Sequence, residues 1–194
     1  LRFLDFTSNK PVIFFMGGSL GADFINRIVM RNIKNLLQKY QVVHICGENN
    51  VNSSKEILNL NQSKKYNLLS NYRVFPFIKN ELKDVYAASN VIVCRAGAMT
   101  LAELDFFEKP AILIPLSKKS SRGDQIANAQ LFRRDHFCSI ISEEDFTDSK
   151  FLFELKRILK SPKSATRSDY SGKRKQFAPL DKIINLLKQY ENRR

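Results

Sequence analysis

The sequence predicts an α/β fold in which a doubly wound, Rossmann-like parallel sheet carries helices on both faces. Short apolar runs alternate with longer amphipathic stretches, and glycine-rich or polar turns follow several of those runs. Hydrophobic residues make up 43% of the 194 residues, enough for one domain with a sizeable core. No apolar run approaches the roughly 18 residues expected of a membrane span.

The strands are predicted where apolar residues cluster between turn residues, and the helices where apolar residues recur every three or four positions. The predicted strands are 11–16, 42–46, 73–78, 91–94, 111–114 and 137–141. The predicted helices are 22–39, 81–88, 100–107, 124–134 and a stretch from 148 onward. Residues 49–71 are rich in Asn, Ser and Lys, and we expect a solvated helix and loop there. Pro179 would lie in the first turn of a closing helix.

Charge and cysteine usage limit the partners. Lys and Arg outnumber Asp and Glu by 32 to 19, a net charge of +13 that favours nucleic acid, anionic lipid or phosphorylated ligands, or is simply a solvated basic surface. The aromatic residues lie in apolar patterns and are not interleaved with basic residues, which argues against a nucleic-acid module. Cys46, Cys94 and Cys138 form no C-x-x-C pair, which favours reduced core thiols in the cytoplasm over a structural zinc site.

A glycine-rich turn follows the first predicted strand. Glycines let the backbone approach a diphosphate, and a helix N-terminus supplies free N–H groups; Ser19 adds a hydroxyl donor. The residues concerned are Gly17, Gly18, Ser19 and Gly21. Met16 occupies the first glycine position of a dinucleotide fingerprint, and no Gly-Lys-Ser/Thr follows, so neither that fingerprint nor a P-loop is present. A tight turn without a ligand remains the alternative.

Two further polar segments follow the fourth and fifth predicted strands. Ligands of doubly wound sheets bind outside the carboxyl ends of the strands, so one ligand could touch both the glycine turn and the segment after the fourth strand. Glu103 suits the paired hydroxyls of a ribose, or is a solvated first-turn glutamate that favours the helix dipole. Gln125 and Asn128 share a helical face suited to sugar hydroxyls, and Asp124 either joins them or caps the helix.

Three segments together resemble ordered motifs of the MurG family of glycosyltransferases. They are residues 17–22, 94–103 and 124–129, and the similarity extends from about residue 11 to residue 137. The resemblance implies the C-terminal domain of a GT-B glycosyltransferase, which holds UDP-N-acetylglucosamine (UDP-GlcNAc). Residues 1–10 would then end the interdomain linker, 11–178 form the UDP-GlcNAc-binding domain, and 179–194 form the C-terminal helix.

The resemblance also implies roles for individual residues. The glycine turn with Ser19 would contact the diphosphate, and Glu103 would bind the ribose. Phe77 and Ile78 resemble the pair that flanks the uracil, with Ile78 using its backbone. Leu82 would be a nearby apolar contact. The start of the helix after Gly97 would face the phosphates, through Ala98, Met99 and Thr100. Gln125 would bind the GlcNAc hydroxyls beside Asn128 and Asp124, although many relatives carry His or Gln at the position of Asp124. Arg2 resembles a linker arginine that reaches the nucleotide.

The activity implied is inverting transfer of GlcNAc onto a lipid-linked muramyl-pentapeptide precursor in peptidoglycan synthesis. The acceptor site and the catalytic histidine would belong to the N-terminal domain of the same protein, so no catalytic residue is expected here, and His44 and His136 would be structural. Neither a metal nor another cofactor is expected. The protein would be cytoplasmic and peripheral on the inner face of the bacterial membrane. Two alternatives remain: the soluble donor subunit of a two-chain enzyme, against which the missing initiator Met speaks, and a basic nucleic-acid-binding module.

Overall fold

The computed structural model describes residues 3–6, 9–17, 22–50, 70–118 and 121–161. In these ranges six strands form one parallel sheet, in the order β3-β2-β1-β4-β5-β6. The strands are β1 (Val12–Met16), β2 (Gln41–Ile45), β3 (Tyr72–Phe75), β4 (Val91–Cys94), β5 (Ala111–Leu113) and β6 (Cys138–Ile140). The chain winds from β1 outward to β3, then returns to the other side of β1 and winds outward to β6. This is the order of a doubly wound sheet, and the predicted fold class is confirmed.

Five α-helices and one 3-10 turn connect or follow these strands in the described ranges. The helices are α1 (Asp23–Lys39), α2 (Leu82–Ala88), α3 (Ala98–Phe106), α4 (Asp124–Asp135) and α5 (Asp148–Lys160), and the 3-10 turn spans Glu48–Asn50. No described helix is both long enough and apolar enough to cross a membrane. Most of the predicted loop at 49–71 and the predicted closing helix at 179–194 lie outside the described residues.

The sheet is buried on both faces because side chains of each strand point alternately to two apolar layers. Phe14 packs with Tyr86 and Leu104, on the face covered by α2, α3 and α4. Ile13 and Phe15 pack on the other face, which α1 and α5 cover. All five residues of β1 are buried, as expected for a central parallel strand.

Two predicted boundaries were wrong. The third strand ends at Phe75 rather than at residue 78 because Pro76 has no N–H with which to continue pairing to β2. Phe77 and Ile78 therefore lie in the connection to α2, beyond the carboxyl end of the edge strand. The third helix begins at Ala98, two residues earlier than predicted, so its first turn lies closer to the end of β4.

A short N-terminal segment, residues 3–6, packs against the edge strand β3. Arg73 of that strand donates from Nε to the Leu4 carbonyl and from Nη2 to the Asp5 carbonyl, both at 2.7 Å. The Leu4 side chain is buried, and the ring of Phe3 stacks on Phe75 at 5.2 Å between centroids. This segment is thereby fixed beside the connection that carries Phe77.

Candidate functional site

The carboxyl ends of β1 and β4 define the place in this fold where the strand order reverses. The two strands are direct neighbours, and Met16 at the end of β1 pairs with Cys94 at the end of β4. Helices leave in different directions from a reversal point of this kind, so a crevice opens outside the strand ends. Gly17 and Gly97 follow those two strands, so these two glycines lie at the same edge of the sheet. Gly18, Ser19 and Gly21 lie outside the described residues, as does Arg2.

The start of α3 offers backbone N–H groups without a side-chain cap. Gly97 is the N-cap residue in an extended conformation, and no described side chain accepts a hydrogen bond from this end of the helix. Ala98 and Met99 are exposed, with 76% of Met99 accessible. A Cβ at Gly97 would meet only Thr100 Oγ1, at 4.0 Å. Among the described residues, this helix start is therefore uncapped and partly exposed, as an anion-binding end requires.

Glu103 lies further along α3 and is held by a buried tyrosine. The Tyr86 hydroxyl donates to Glu103 Oε2 at 2.6 Å and is 3.2 Å from the Met16 sulfur. The Glu103 carboxylate is therefore held near the end of β1, at the crevice. The alternative of a solvated first-turn glutamate was wrong, because α3 begins earlier than predicted and Glu103 is partly buried in a specific contact.

The amide side chains of α4 bind the two loops that border the crevice. Gln125 Oε1 accepts from the Leu116 N–H at 3.1 Å, in the loop after β5. Asn128 Nδ2 donates to the Ala96 carbonyl at 3.3 Å, in the loop before α3. Both side chains thus reach the carboxyl edge, and each retains one polar atom that these bonds do not use. Their predicted contact with a sugar stays a prediction.

Asp124 is exposed at the start of α4 and is not the cap of that helix. The N-cap is Gly123, whose φ of 89° places it in the left-handed region that favours glycine. Asp124 instead occupies the first helical turn, where its negative charge interacts favourably with the positive end of the helix dipole. The predicted capping alternative was therefore wrong, and a ligand role for the carboxylate remains a prediction.

The residues predicted to flank a base lie at the end of β3. Phe77 is 44% exposed, whereas Ile78 is buried and Leu82 packs partly against the same core. Since the Ile78 side chain is in the core, only its backbone is available to a ligand, in agreement with the backbone contact that the resemblance implies. The exposed Phe77 ring offers a surface on which a base could stack.

Arg95 is a structural residue at this edge that the sequence pattern did not single out. Its Nη1 donates to the Ile114 carbonyl at 3.0 Å, and its Nη2 pairs with Glu143 Oε1 at 2.5 Å. It thereby connects the end of β4 to the chain after β5 and to the chain after β6. Tyr86 was missed as well, although a tyrosine on the apolar face of a helix signals a buried hydroxyl that needs a partner.

The two histidines are both held by contacts within the fold. His44 is fully buried in β2, where burial lowers its pKa to about 3, and His136 ends α4 and pairs with Asp105 at 2.7 Å. Among the residues that the structure covers, no three His, Cys, Asp or Glu side chains are grouped as metal ligands. A separate cavity of about 310 Å³ lies at the opposite, amino edge of the sheet, between Pro11, Asn90 and Pro110. It contains none of the predicted site residues.

The fold and this edge define a Rossmann-like domain whose strand order reverses between β1 and β4, with Gly17 and Gly97 following those two strands. The chain belongs to the family of the glycosyltransferase family 28 C-terminal domain, whose family model matches residues 12–183.

Curated relatives and solved structures agree with this assignment. The chain is 35% identical over 185 residues to the UDP-N-acetylglucosamine–N-acetylmuramyl-(pentapeptide) pyrophosphoryl-undecaprenol N-acetylglucosamine transferase of Clostridium tetani, covering 95% of this chain and 48% of the relative. It is 42% identical over 176 residues to transferase 2 of the same description from Bacillus thuringiensis subsp. konkukian, covering 89% and 47%. The chain thus spans about half the length of the curated relatives it matches.

The crystal structure of Acinetobacter baumannii MurG superposes with a TM-score of 0.65 at 23% identity, over 84% of this chain and 45% of that one. This likeness confirms the predicted fold, the C-terminal domain type of a GT-B glycosyltransferase, and the predicted resemblance to the MurG family is confirmed with it.

Proposed function

We propose that this chain is the donor-binding half of an inverting glycosyltransferase that moves GlcNAc from UDP-GlcNAc to a lipid-linked muramyl-pentapeptide. The observation that carries the proposal is the Glu103 carboxylate, held at the strand reversal beside the uncapped start of α3. A carboxylate suits ribose hydroxyls, and free N–H groups suit a diphosphate. Membership of the family and the names of the matched relatives supply the sugar and the acceptor.

The chemical contribution of this half is electrostatic. The acceptor hydroxyl gives its proton to a general base and attacks the anomeric carbon from the face opposite the diphosphate. The bond from the anomeric carbon to the phosphate oxygen breaks, and UDP leaves with the bonding electrons. The N-terminus of α3 and the glycine turn with Ser19 stabilise the charge that develops on the departing diphosphate. The acceptor site and the general base belong to an N-terminal half, and the assembled enzyme works at the inner face of the cell membrane.

Calorimetric titration of the purified chain with UDP-GlcNAc, UDP-glucose and ADP tests the donor site. We expect selective binding of the uridine nucleotides, and Glu103→Ala should weaken it about tenfold or more, because the ribose hydroxyls lose the carboxylate. Asp135→Ala is the matched control, because it removes a carboxylate from the last turn of α4, at the opposite edge of the sheet. Failure of all uridine nucleotides to bind at millimolar concentrations, in a protein with an intact circular dichroism spectrum, contradicts the proposal.

The same titration in the presence of a chelator tests the absence of a metal requirement. If helix ends and hydroxyls neutralise the diphosphate, the affinity for UDP-GlcNAc stays unchanged by the chelator. A strong dependence of that affinity on added magnesium contradicts this part of the proposal.

A further inference from the structure

Tyr86 is the buried group in closest contact with the proposed ribose-binding carboxylate. It lies on α2, is fully buried, and does not itself reach the open crevice. Its hydroxyl donates to Glu103 Oε2 at 2.6 Å, shorter than the usual separation for a hydroxyl donor and typical of a bond to an ionised acceptor.

The ring of Tyr86 is fixed on two sides. It stacks on Phe107 with 4.8 Å between centroids and planes 8° apart, and it meets Phe14 edge-on at 5.6 Å. Side chains locked in this way lose little entropy when their polar ends bind. The hydroxyl is therefore a fixed point in the core, at the carboxyl end of β1.

A glutamate on the surface of a helix ordinarily samples several rotamers. Fixing its carboxylate in one orientation when a ligand binds therefore costs conformational entropy. The bond from Tyr86 removes part of that cost before binding. It uses one lone pair of Oε2, and no described residue donates to Oε1, so the carboxylate keeps capacity for two ribose hydroxyls.

Burial and the bond to Glu103 both raise the pKa of the Tyr86 hydroxyl, so it remains a proton donor throughout the physiological range. A hydroxyl that never ionises there donates to the carboxylate at every working pH.

We propose that Tyr86 is a positioning residue: its hydroxyl holds the Glu103 carboxylate in the orientation that binds the ribose hydroxyls of a uridine nucleotide. The inference rests on the proposed function, since it names how the donor site of that function is organised. It assigns a role to a core side chain that has no contact with the nucleotide.

The test compares UDP with 2′,3′-dideoxyuridine diphosphate, by calorimetry, in the wild type and in Tyr86→Phe. The phenylalanine keeps the ring contacts with Phe107 and Phe14 and removes only the hydroxyl. We expect the affinity for UDP to fall about tenfold, as loss of one bond to a charged group predicts, while the affinity for the dideoxy nucleotide stays unchanged. In the Glu103→Ala background, Tyr86→Phe should have no further effect on either nucleotide.

Two further variants keep the test decisive. Tyr72→Phe is the matched control, because it removes a buried hydroxyl that bonds to His44 instead, and we expect it to leave both affinities unchanged. Phe107→Leu removes the ring that stacks on Tyr86, and Phe107 is only partly buried. This variant serves as the test if Tyr86→Phe does not fold. It should lower the affinity for UDP by a smaller factor and leave the affinity for the dideoxy nucleotide unchanged.

Equal losses for both nucleotides, or wild-type affinity for UDP in Tyr86→Phe, overturn the positioning role while the proposed function stands. Absence of UDP binding in the folded wild type overturns the proposed function and the positioning role with it.

Discussion

Two polar regions of this domain differ in whether their hydrogen-bonding groups have partners among the described side chains. In the closed cluster, formed by Asn26, His44 and Tyr72, both ring nitrogens of the histidine have side-chain partners at 2.9 Å. At the start of α3, no described side chain caps the first-turn N–H groups. Buried polar groups need partners within the chain, whereas exposed polar groups can form hydrogen bonds with water or with a ligand. The difference separates the polar residues that maintain the fold from those left free to bind.

The closed cluster also fixes the tautomer of its histidine. Asn26 Nδ2 donates to the Cys46 carbonyl at 3.0 Å, so Asn26 Oδ1 faces the ring and can only accept. His44 therefore carries its proton on Nε2 and accepts from the Tyr72 hydroxyl at Nδ1. All three side chains are hydrogen-bonded within the fold, and none is available for catalysis.

The largest effect is expected from opening the closed cluster. His44→Phe leaves the Asn26 oxygen and the Tyr72 hydroxyl buried without partners, which should lower the free energy of unfolding by about 2–5 kcal/mol. Denaturant unfolding at neutral pH measures this loss. Wild-type stability of the variant would show that the cluster contributes nothing to the fold.

The same histidine predicts a pH dependence. Burial lowers the pKa of His44 to about 3 in the folded state, below the unperturbed value of 6.5. Between these values the unfolded chain binds a proton that the folded chain does not, so the free energy of unfolding falls as the pH falls, by up to about 1.4 kcal/mol per pH unit. His44→Phe should remove this part of the slope, measured as the difference between wild-type and variant unfolding at pH 7 and pH 5.

The next effect concerns the open helix start. Gly97→Ala adds a methyl group that, among the described residues, would meet only Thr100 Oγ1 at 4.0 Å, but alanine is a poorer N-cap than glycine, so the free energy of unfolding should fall by no more than about 1 kcal/mol. If a diphosphate lies against this residue, the affinity for UDP-GlcNAc should fall about tenfold or more. Thermal unfolding and calorimetry of the same preparation separate the two outcomes. Unchanged affinity would remove the diphosphate from this turn.

A helix start that the chain caps itself provides a smaller, opposite test. Thr147 caps α5, and its hydroxyl accepts from the Lys150 N–H at 3.1 Å. Thr147→Ala should lower the free energy of unfolding by about 1 kcal/mol and leave nucleotide affinity unchanged. A loss of nucleotide binding in this variant would mean that capped and uncapped starts do not differ in function.

The smallest effect on stability should come from a charge at the open start. Ala98→Asp places a carboxylate in the first turn of α3, which favours the helix dipole by about 0.3–1 kcal/mol. The same charge repels a diphosphate, so stability should rise while affinity for UDP-GlcNAc falls. Thermal unfolding and titration that change in the same direction would contradict an anion site here.

The sequence predicted this fold well because its signals are local. Apolar runs of four to six residues between turns located all six strands within three residues at each end. The largest error was the end of β3, where the predicted strand ran through Pro76. The strand order could not be deduced in the same way, since it depends on contacts between residues far apart in the chain. The placement of the glycine turns at one edge followed from the general rule for parallel sheets.

The site was predicted only in part, for a similar reason. Glu103 could be selected by its residue type and its place after a strand, but its bond to Tyr86 joins residues of two different helices, 17 positions apart in the sequence. Arg95 looked like one residue of a motif, whereas its contacts reach carbonyl groups 19 and 20 positions away and Glu143. Pairings of this kind depend on the packed structure and leave no periodic signal in the sequence.

The three buried cysteines allow local unfolding of this domain to be followed by thiol modification. Burial raises the pKa of Cys94, at the end of inner strand β4, and raises the pKa of Cys138, on edge strand β6, to about 11. A thiol-specific reagent in solution therefore reacts only with molecules that have opened locally, and the rate of modification measures how often each strand opens. Cys138 should be modified before Cys94, and a nucleotide seated at the strand reversal should slow Cys94 more than Cys138. The rates of cysteine modification thus measure, without any added label, how often strands β4 and β6 open.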